Sequence, residues 1–273
     1  MMRFALLESG SKGNSFLLQD ENTSILIDCG GTKAWLFQAL TNTGMEIADL
    51  DALLITHDHS DHISQIKHFV DVPIYSPVSI SGTKAEIIQP DQAFQIEHLT
   101  ITPIALSHDT ERTVGYVITS WQEKLVYITD TGYVKDEYLP MLKGADYIIL
   151  ESNHDTEMLM RTSRPMYLKM RIAGDSGHLC NEDCASLLTR IVSEKTKMVI
   201  LAHISQQANT QETALRVSHQ ALRTHGSCRR DLILAAAGQN EIIKGGDWQG
   251  EKVDHCSCSC VVGMEPVSDG QLQ

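Results

Sequence analysis

Short apolar runs separated by polar turns set the pattern of the first half of this chain. Phe4–Leu7 and Ser15–Leu18 flank the turn Gly10-Ser11-Lys12-Gly13-Asn14, and Ile25–Asp28 follows the polar stretch Asp20–Ser24. Runs of this length bounded by Gly, Asn, Asp and Ser predict a meander of antiparallel strands. Thr32 is a good helix N-cap, and Trp35, Leu36, Ala39 and Leu40 are spaced for one buried helical face. Further strands are expected at Ala52–Thr56, Pro73–Tyr75, Phe94–Glu97, Leu99–Ala105, Val114–Thr119, Leu125–Thr129, Tyr147–Leu150, Met198–Ala202 and Leu232–Ala235. Helices are expected at Thr83–Ile88, Lys135–Leu142, Asn181–Ser193 and Gln211–His225.

Strands with interspersed helices, in two similar halves, suit an α+β architecture. Two sheets packed face to face with helices outside would bury every one of these runs. The 273 residues, 42% of them hydrophobic, suffice for one large core or two small ones. Residues 1–245 read as one folded domain. Residues 246–273 carry Gly, Ser, Asp and Cys with little periodicity, and a loosely ordered tail is expected there.

The formal net charge of −13 argues against a broad basic surface made for gripping nucleic acid. It does not argue against a nuclease whose bound cations supply positive charge locally. Seven cysteines, an odd number in a chain too large to need disulfide staples, suit a reducing compartment. The opening run Phe4-Ala5-Leu6-Leu7 is strand-like and follows no signal-peptide pattern. No apolar stretch approaches the roughly 18 residues of a membrane span. A cytoplasmic protein without a membrane partner is expected.

The stretch Thr56-His57-Asp58-His59-Ser60-Asp61-His62 changes the picture. Three imidazoles and two carboxylates at the end of a buried strand are costly unless paired or coordinated. His and Asp suit borderline to hard divalent ions such as zinc or manganese. In extended backbone alternate residues point the same way, so His57 and His59 can share one ion. A turn into a helix would then aim Asp61 and His62 toward a second.

This tract resembles the first metal motif of the metallo-β-lactamase superfamily, His-x-His-x-Asp-His. The resemblance implies an αββα sandwich of two mixed sheets and further ligands downstream, each just past an apolar strand. His108 in Ser107-His108-Asp109, Asp130 in Thr129-Asp130-Thr131-Gly132 and His203 in Ala202-His203-Ile204-Ser205 fit in order. On this reading His57, His59 and His108 hold one ion, Asp61, His62 and His203 the other, and Asp130 both. A hydroxide held between the ions is the implied nucleophile, oriented by Asp61.

The surroundings resemble the nuclease branches. The His-Thr-Pro-Gly-His tract of thioester and glyoxalase-type members is replaced here by Ser107-His108-Asp109-Thr110-Glu111. The spacing from His108 to Asp130 is similar to that of RNase J. Ser176-Gly177-His178-Leu179 resembles the Gly-His motif of RNase J and tRNase Z, and Glu151 falls where tRNase Z-like enzymes pair a glutamate with that histidine. The resemblance implies that His178 donates a proton to the leaving oxygen and that Glu151 holds it in its protonated form. The same Gly177-His178 stretch also reads as a loop entering a helix capped by Asn181.

With Gly10-Ser11-Lys12-Gly13-Asn14, Leu150-Glu151-Ser152-Asn153-His154-Asp155 and Leu201-Ala202-His203-Ile204-Ser205-Gln206, the whole is similar to the YycJ/WalJ/VicX group over roughly residues 3–245. That similarity implies a 5′-to-3′ exonuclease acting on DNA. An RNA-processing nuclease, a small-molecule phosphodiesterase on cyclic nucleotides or cyclic phosphates, and a binding protein with structural metals remain the alternatives. Cys180 departs from the group, where Ser is common.

Arg161, Arg164, Lys169 and Arg171 occur with no intervening acid just before Gly177-His178. Arg164, Lys169 and Arg171 are therefore candidates to track a phosphate backbone, or they lie on a solvated helix face. Lys12 and Asn14 are candidates for substrate contact, or merely members of a Gly turn. His154 is a candidate to orient a ligand or Glu151, or to share helix capping with Asp155. Cys256, Cys258 and Cys260 alternate as soft-metal ligands can, but lack the spacing of structural zinc sites, and an oxidation-prone tail is the expectation.

Overall fold

Alternation along the strands decides which layer each side chain joins. In β1 (Met2–Glu8), Met2, Phe4 and Leu6 face a core shared by two sheets, while Ala5 and Leu7 face a second cluster on the far side. The same two-residue period splits a strand of the other sheet, where Ile149 points to the shared core and Ile148 and Leu150 point away from it. The shared core is rich in rings, with Phe4 stacked on Phe16 at 5.5 Å and Phe16 tilted on Tyr127 at 5.2 Å.

The computed structural model describes residues 1–227 and 231–248. The first sheet contains β2 (Ser15–Asp20), β3 (Thr23–Ile27), β4 (Ala52–Leu54), β5 (Ile74–Ser76) and β6 (Glu86–Ile87) beyond β1. The second contains β7 (Phe94–Ile96), β8 (Leu99–Leu106), β9 (Thr113–Thr119), β10 (Lys124–Ile128), β11 (Tyr147–Glu151), β12 (Met198–Ala202) and β13 (Ile233–Ala236). A last strand, β14 (Ile243–Gly246), returns to the first sheet beside β1. The orders are β14-β1-β2-β3-β4-β5-β6 and β13-β12-β11-β10-β9-β8-β7. Each sheet is an antiparallel meander that becomes parallel, from β3 onward in one and from β10 onward in the other.

The helices α1 (Lys33–Asn42), α2 (Ser60–Ile63), α3 (Leu139–Leu142), α4 (Thr156–Arg161), α5 (Met166–Ile172), α6 (Asn181–Ile191) and α7 (Gln211–His225) complete the layers. Leu36, Ala39 and Leu40 of α1 join the outer cluster of the first sheet. Leu142 of α3, Leu187 and Leu188 of α6 and Leu222 of α7 join that of the second. This is the αββα sandwich of mixed sheets, α+β in class, that the sequence predicts.

Some local expectations differ. Residues 83–88, expected as a helix, instead supply the edge strand β6, paired parallel to β5. Six residues are too few to sustain an isolated helix, whereas an open sheet edge offers partners at once. α4 and α5 carry the basic run that the sequence offered either as a phosphate track or as a solvated helix face. Cys180, not Asn181, caps α6, its sulfur accepting from Asp183 N. Residue 246 lies within β14, and beyond it the Trp248 indole donates to Phe4 O, 3.2 Å away. Cys256, Cys258 and Cys260 lie outside the described residues.

Candidate active site

Strand ends build the site. Asp28 follows β3, His57 lies just past β4, Asp130 past β10, His203 directly after β12, and Glu151 closes β11. Parallel strands deliver their C-terminal ends to one edge of the sandwich, where the connecting loops gather. Asp28, Asp130 and His203 have φ of 59, 58 and 53°, a left-handed backbone that ordinary residues avoid. Three such residues in one place mark a site held against local strain.

The sheets are tied together beneath it. Tyr116 of β9 donates its hydroxyl to Ile55 O, and Val114 N donates to Thr56 O at 3.0 Å. The stretch Thr56–His62 is therefore anchored from both sheets before it turns into α2.

Four of the imidazoles, those of His62, His57, His108 and His203, are fixed at Nδ1. His62 Nδ1 lies 2.8 Å from Asp28 Oδ2, and Asp28 also accepts from Thr56 N and Thr56 Oγ1, each at 2.9 Å. His57 Nδ1 lies 3.0 Å from Thr56 Oγ1, and His108 Nδ1 lies 3.1 Å from Gly177 O. His203 Nδ1 is 2.7 Å from Glu151 Oε1 and 3.2 Å from Asn153 Nδ2. Ser9 Oγ receives the His203 backbone N–H at 2.7 Å. Anchoring Nδ1 in this way sets the ring so that Nε2 faces inward.

Potential ligand atoms of His57, His59 and His108 lie within 4.8 Å of one another. The same holds for Asp61, His62 and His203, and for His57, His62 and Asp130. All seven residues singled out as metal ligands thus meet at one place, with Asp130 beside both sets of imidazoles. Its Oδ2 is 3.3 Å from His62 Nε2, and its Oδ1 is 3.5 Å from His203 Nε2.

The donor set fits divalent cations. His57 Nε2, His203 Nε2 and Asp130 Oδ2 are buried without a hydrogen-bond partner. Each such atom costs about 1–3 kcal/mol if left unmade, and here all three face one locus. Burial, reinforced by His62, holds the His57 imidazole well below its ordinary range, in the neutral form that binds metals. Burial would also lower His62, but Asp28 and Asp130 lift it well above its usual value. In the same way Asp130 and Glu151 outweigh burial to raise His203 to about 9. The buried carboxylates of Asp28, Asp130 and Glu151 thus favour positive charge in the pocket.

Glu151 adds a second function. Its side chain is sealed from solvent, yet Oε1 also lies 2.8 Å from His178 Nδ1, and Oε2 accepts from Thr131 N and Leu179 N at 2.9 and 3.3 Å. Burial would raise this carboxyl, but His178 and His203 bring it down to about 2. His178 is 20% exposed at the rim, its ring 5.1 Å from that of His108 and 5.2 Å from that of His203.

The β-lactamase superfamily domain matches residues 23–204. The chain belongs to the metallo-β-lactamase superfamily. As a superfamily hydrolase it is 33% identical to the exodeoxyribonuclease YycJ of Bacillus anthracis over 243 residues, covering 82% of this chain and 90% of that protein. It is 32% identical to the exodeoxyribonuclease WalJ of Streptococcus pneumoniae over 228 residues, 78% of this chain and 85% of that one. The metallo-β-lactamase fold protein YhfI from Bacillus subtilis superposes with a TM-score of 0.66 at 18% identity, over 89% of this chain and 99% of that chain. The short form of human tRNase Z gives 0.59 at 17%, over 88% and 98%.

The candidates for substrate contact fare unevenly in this metallo-β-lactamase superfamily member. Lys12 is exposed in its turn. Asn14 is fully buried, with Nδ2 3.0 Å from His62 Nε2 and 3.4 Å from Asp61 Oδ2. It holds site residues in place instead of facing a substrate. Lys169 is also buried, its Nζ donating to Met160 O at 2.6 Å, which removes it from any surface track. Arg164 is half-buried and donates from Nε to Gln207 Oε1 at 3.1 Å. Arg171 is exposed and pairs with Asp109, whose Oδ1 lies 3.3 Å from His108 Nε2. His154 is buried with Nδ1 unpartnered, while helix capping falls to Asp155, which accepts from Met158 N. Asp28, Thr56, Asn153 and Asp109 went unread in the sequence. Only Asp28 carried a signal there, an acid at a strand end followed by Cys29-Gly30-Gly31.

Proposed function

We propose that this chain is a phosphodiesterase with two divalent cations, zinc or manganese, working in the cytoplasm as a 5′-to-3′ exonuclease on DNA. The observation that carries the reading is the Glu151–His178 pair beside the ligand cluster. A site that only stored metal would have no use for an imidazole held by a buried carboxylate at its rim. The names of the YycJ and WalJ relatives support a DNA substrate. The free thiols of Cys29, Cys180 and Cys184 suit a reducing compartment, and among the described residues no helix is long and apolar enough to cross a membrane.

On this reading His57, His59 and His108 hold one cation, Asp61, His62 and His203 the other, and Asp130 lies between them. When bound, the cations supply positive charge that acidifies water and steadies charge gathering on a phosphate. The carboxylate of Asp61, at 23% exposure, orients the attacking water. His178 delivers a proton to the departing oxygen, and Glu151 keeps its ring aimed by accepting from Nδ1.

A second reading, hydrolysis of a small cyclic nucleotide or cyclic phosphate, draws on one observation. Lys169 and Arg171, two members of the basic run, are engaged within the protein. Substrate length separates the two. The test is protein loaded separately with manganese and with zinc, given end-labelled single- and double-stranded DNA and RNA bearing 5′-phosphate or 5′-hydroxyl. Stepwise 5′ shortening of DNA is expected. Hydrolysis of bis-p-nitrophenyl phosphate with no cleavage of any polymer would favour the small substrate.

A further inference from the structure

The helix α5 turns an unusual face outward. Met166, Tyr167 and Met170 are 62, 75 and 59% exposed, while Leu168, Lys169 and Ile172 turn inward. At helical spacing Met166 and Met170 lie one turn apart, and so do Tyr167 and Arg171, so the four side chains form one continuous patch. An aromatic ring and two thioethers left in water on a seven-residue helix are unlike the scattered apolar residues of an ordinary surface.

This patch adjoins the site and is rigidly placed. Lys169 Nζ fastens α5 to the end of α4 through Met160 O. Just beyond α5, His178 N donates to Ile172 O at 2.9 Å, and Gly177 O meets His108 Nδ1. Arg171 reaches over to Asp109, the neighbour of His108. One turn of helix therefore separates the Tyr167 ring from a guanidinium at the mouth of the ligand cluster.

Charge selects the occupant. The protein as a whole carries −13, yet Arg164 and Arg171 flank this face; Lys169 is buried and Arg161 pairs with Glu157, so the local cations are these two guanidinium groups. A polyanion bearing flat apolar rings matches both halves of the patch, since bases stack on aromatic side chains while arginines meet the backbone.

We propose that the outer face of α5 is the platform that holds a single-stranded nucleic acid on its way into the site. Tyr167 stacks on a base, Met166 and Met170 pack beside it, and Arg171 exchanges Asp109 for a backbone phosphate. This rests on the nuclease reading and adds where the strand lies.

The test compares the KM for a single-stranded oligonucleotide with the KM for bis-p-nitrophenyl phosphate, which is too small to span both the site and α5. In Tyr167→Ala the ratio of the two should rise about 5- to 100-fold, whereas Tyr167→Phe, which keeps the ring, should stay within about two-fold. Arg171→Ala should raise the oligonucleotide KM and flatten its dependence on salt. An unchanged ratio in Tyr167→Ala, with the wild type cleaving oligonucleotides, overturns the platform and leaves the nuclease reading standing. A wild type that cleaves no polymer overturns both. A wild-type dimer that Tyr167→Ala dissociates in sedimentation assigns this face to a second copy of the chain and also overturns the platform.

Discussion

Oδ2 of Asp28 lies 2.8 Å from Nδ1 of His62, and both side chains are completely buried. The carboxylate fixes which nitrogen of His62 faces Asp130, and it does so from strained backbone at the end of β3. Asp28→Asn keeps the volume but removes the charge that sets the ring. Metal affinity, measured by equilibrium dialysis, should fall about 10- to 100-fold while the fold is retained. Unchanged affinity would mean that His62 is oriented by packing alone.

Gly30 holds the backbone crossing beneath Asp61. A methyl group there would lie 1.6 Å from Asp61 O and 2.7 Å from Asn14 N, both backbone atoms that cannot swing away. Gly30→Ala should therefore cost about 1–3 kcal/mol of stability and lower the metal content, because Asp61 must move. Thermal melts with metal analysis check both.

Lys197 lies at the far end of β12, where its Nζ meets Glu123 at 2.7 Å and Asp146 at 3.1 Å. Burial would lower this amine, but the two carboxylates raise it above its ordinary value of 10.5. The stabilisation is thus complete below about pH 10 and fades as the pH climbs through the raised value. Because the side chain is half exposed, solvent screening limits its worth to about 1 kcal/mol or less. Denaturant melts should show Lys197→Met less stable than wild type at pH 8 and the gap closing in strong alkali.

One oxygen of Glu151 serves both His178 and His203. Glu151→Gln should accordingly reduce metal affinity and turnover together, the turnover by about 10²–10⁴-fold. Loss of turnover with metal affinity intact would show that His203 needs no help from Glu151.

The sandwich was legible because its strands are short apolar runs ended by turn residues, and the two-residue alternation assigns their faces. The residues read as ligands were legible for a related reason: each histidine or aspartate follows such a run, and the fold brings those strand ends together. What escaped was set by long-range contacts. Nothing adjacent to Lys169 says that its amine will cap the end of α4, and nothing beside Asn14 says that its amide will turn inward to His62. The β6 segment has helical spacing in isolation, and only the open edge of β5 makes it a strand. α4 and α5 carry weak amphipathic patterns, since much of α5 faces water.

The leaving-group dependence of His178→Ala separates a proton donor from a residue that merely lines the rim. Wild type and variant, loaded with the same metal and checked for equal metal content, would be compared on two phosphodiesters. One releases p-nitrophenolate, which departs without a proton; the other is a dinucleotide that releases a ribose-type alkoxide, which needs one. A loss of about 10²–10⁴-fold is expected on the dinucleotide and a far smaller loss on the nitrophenyl ester. Equal losses on both, or none on the dinucleotide, would contradict a proton-donating role for His178.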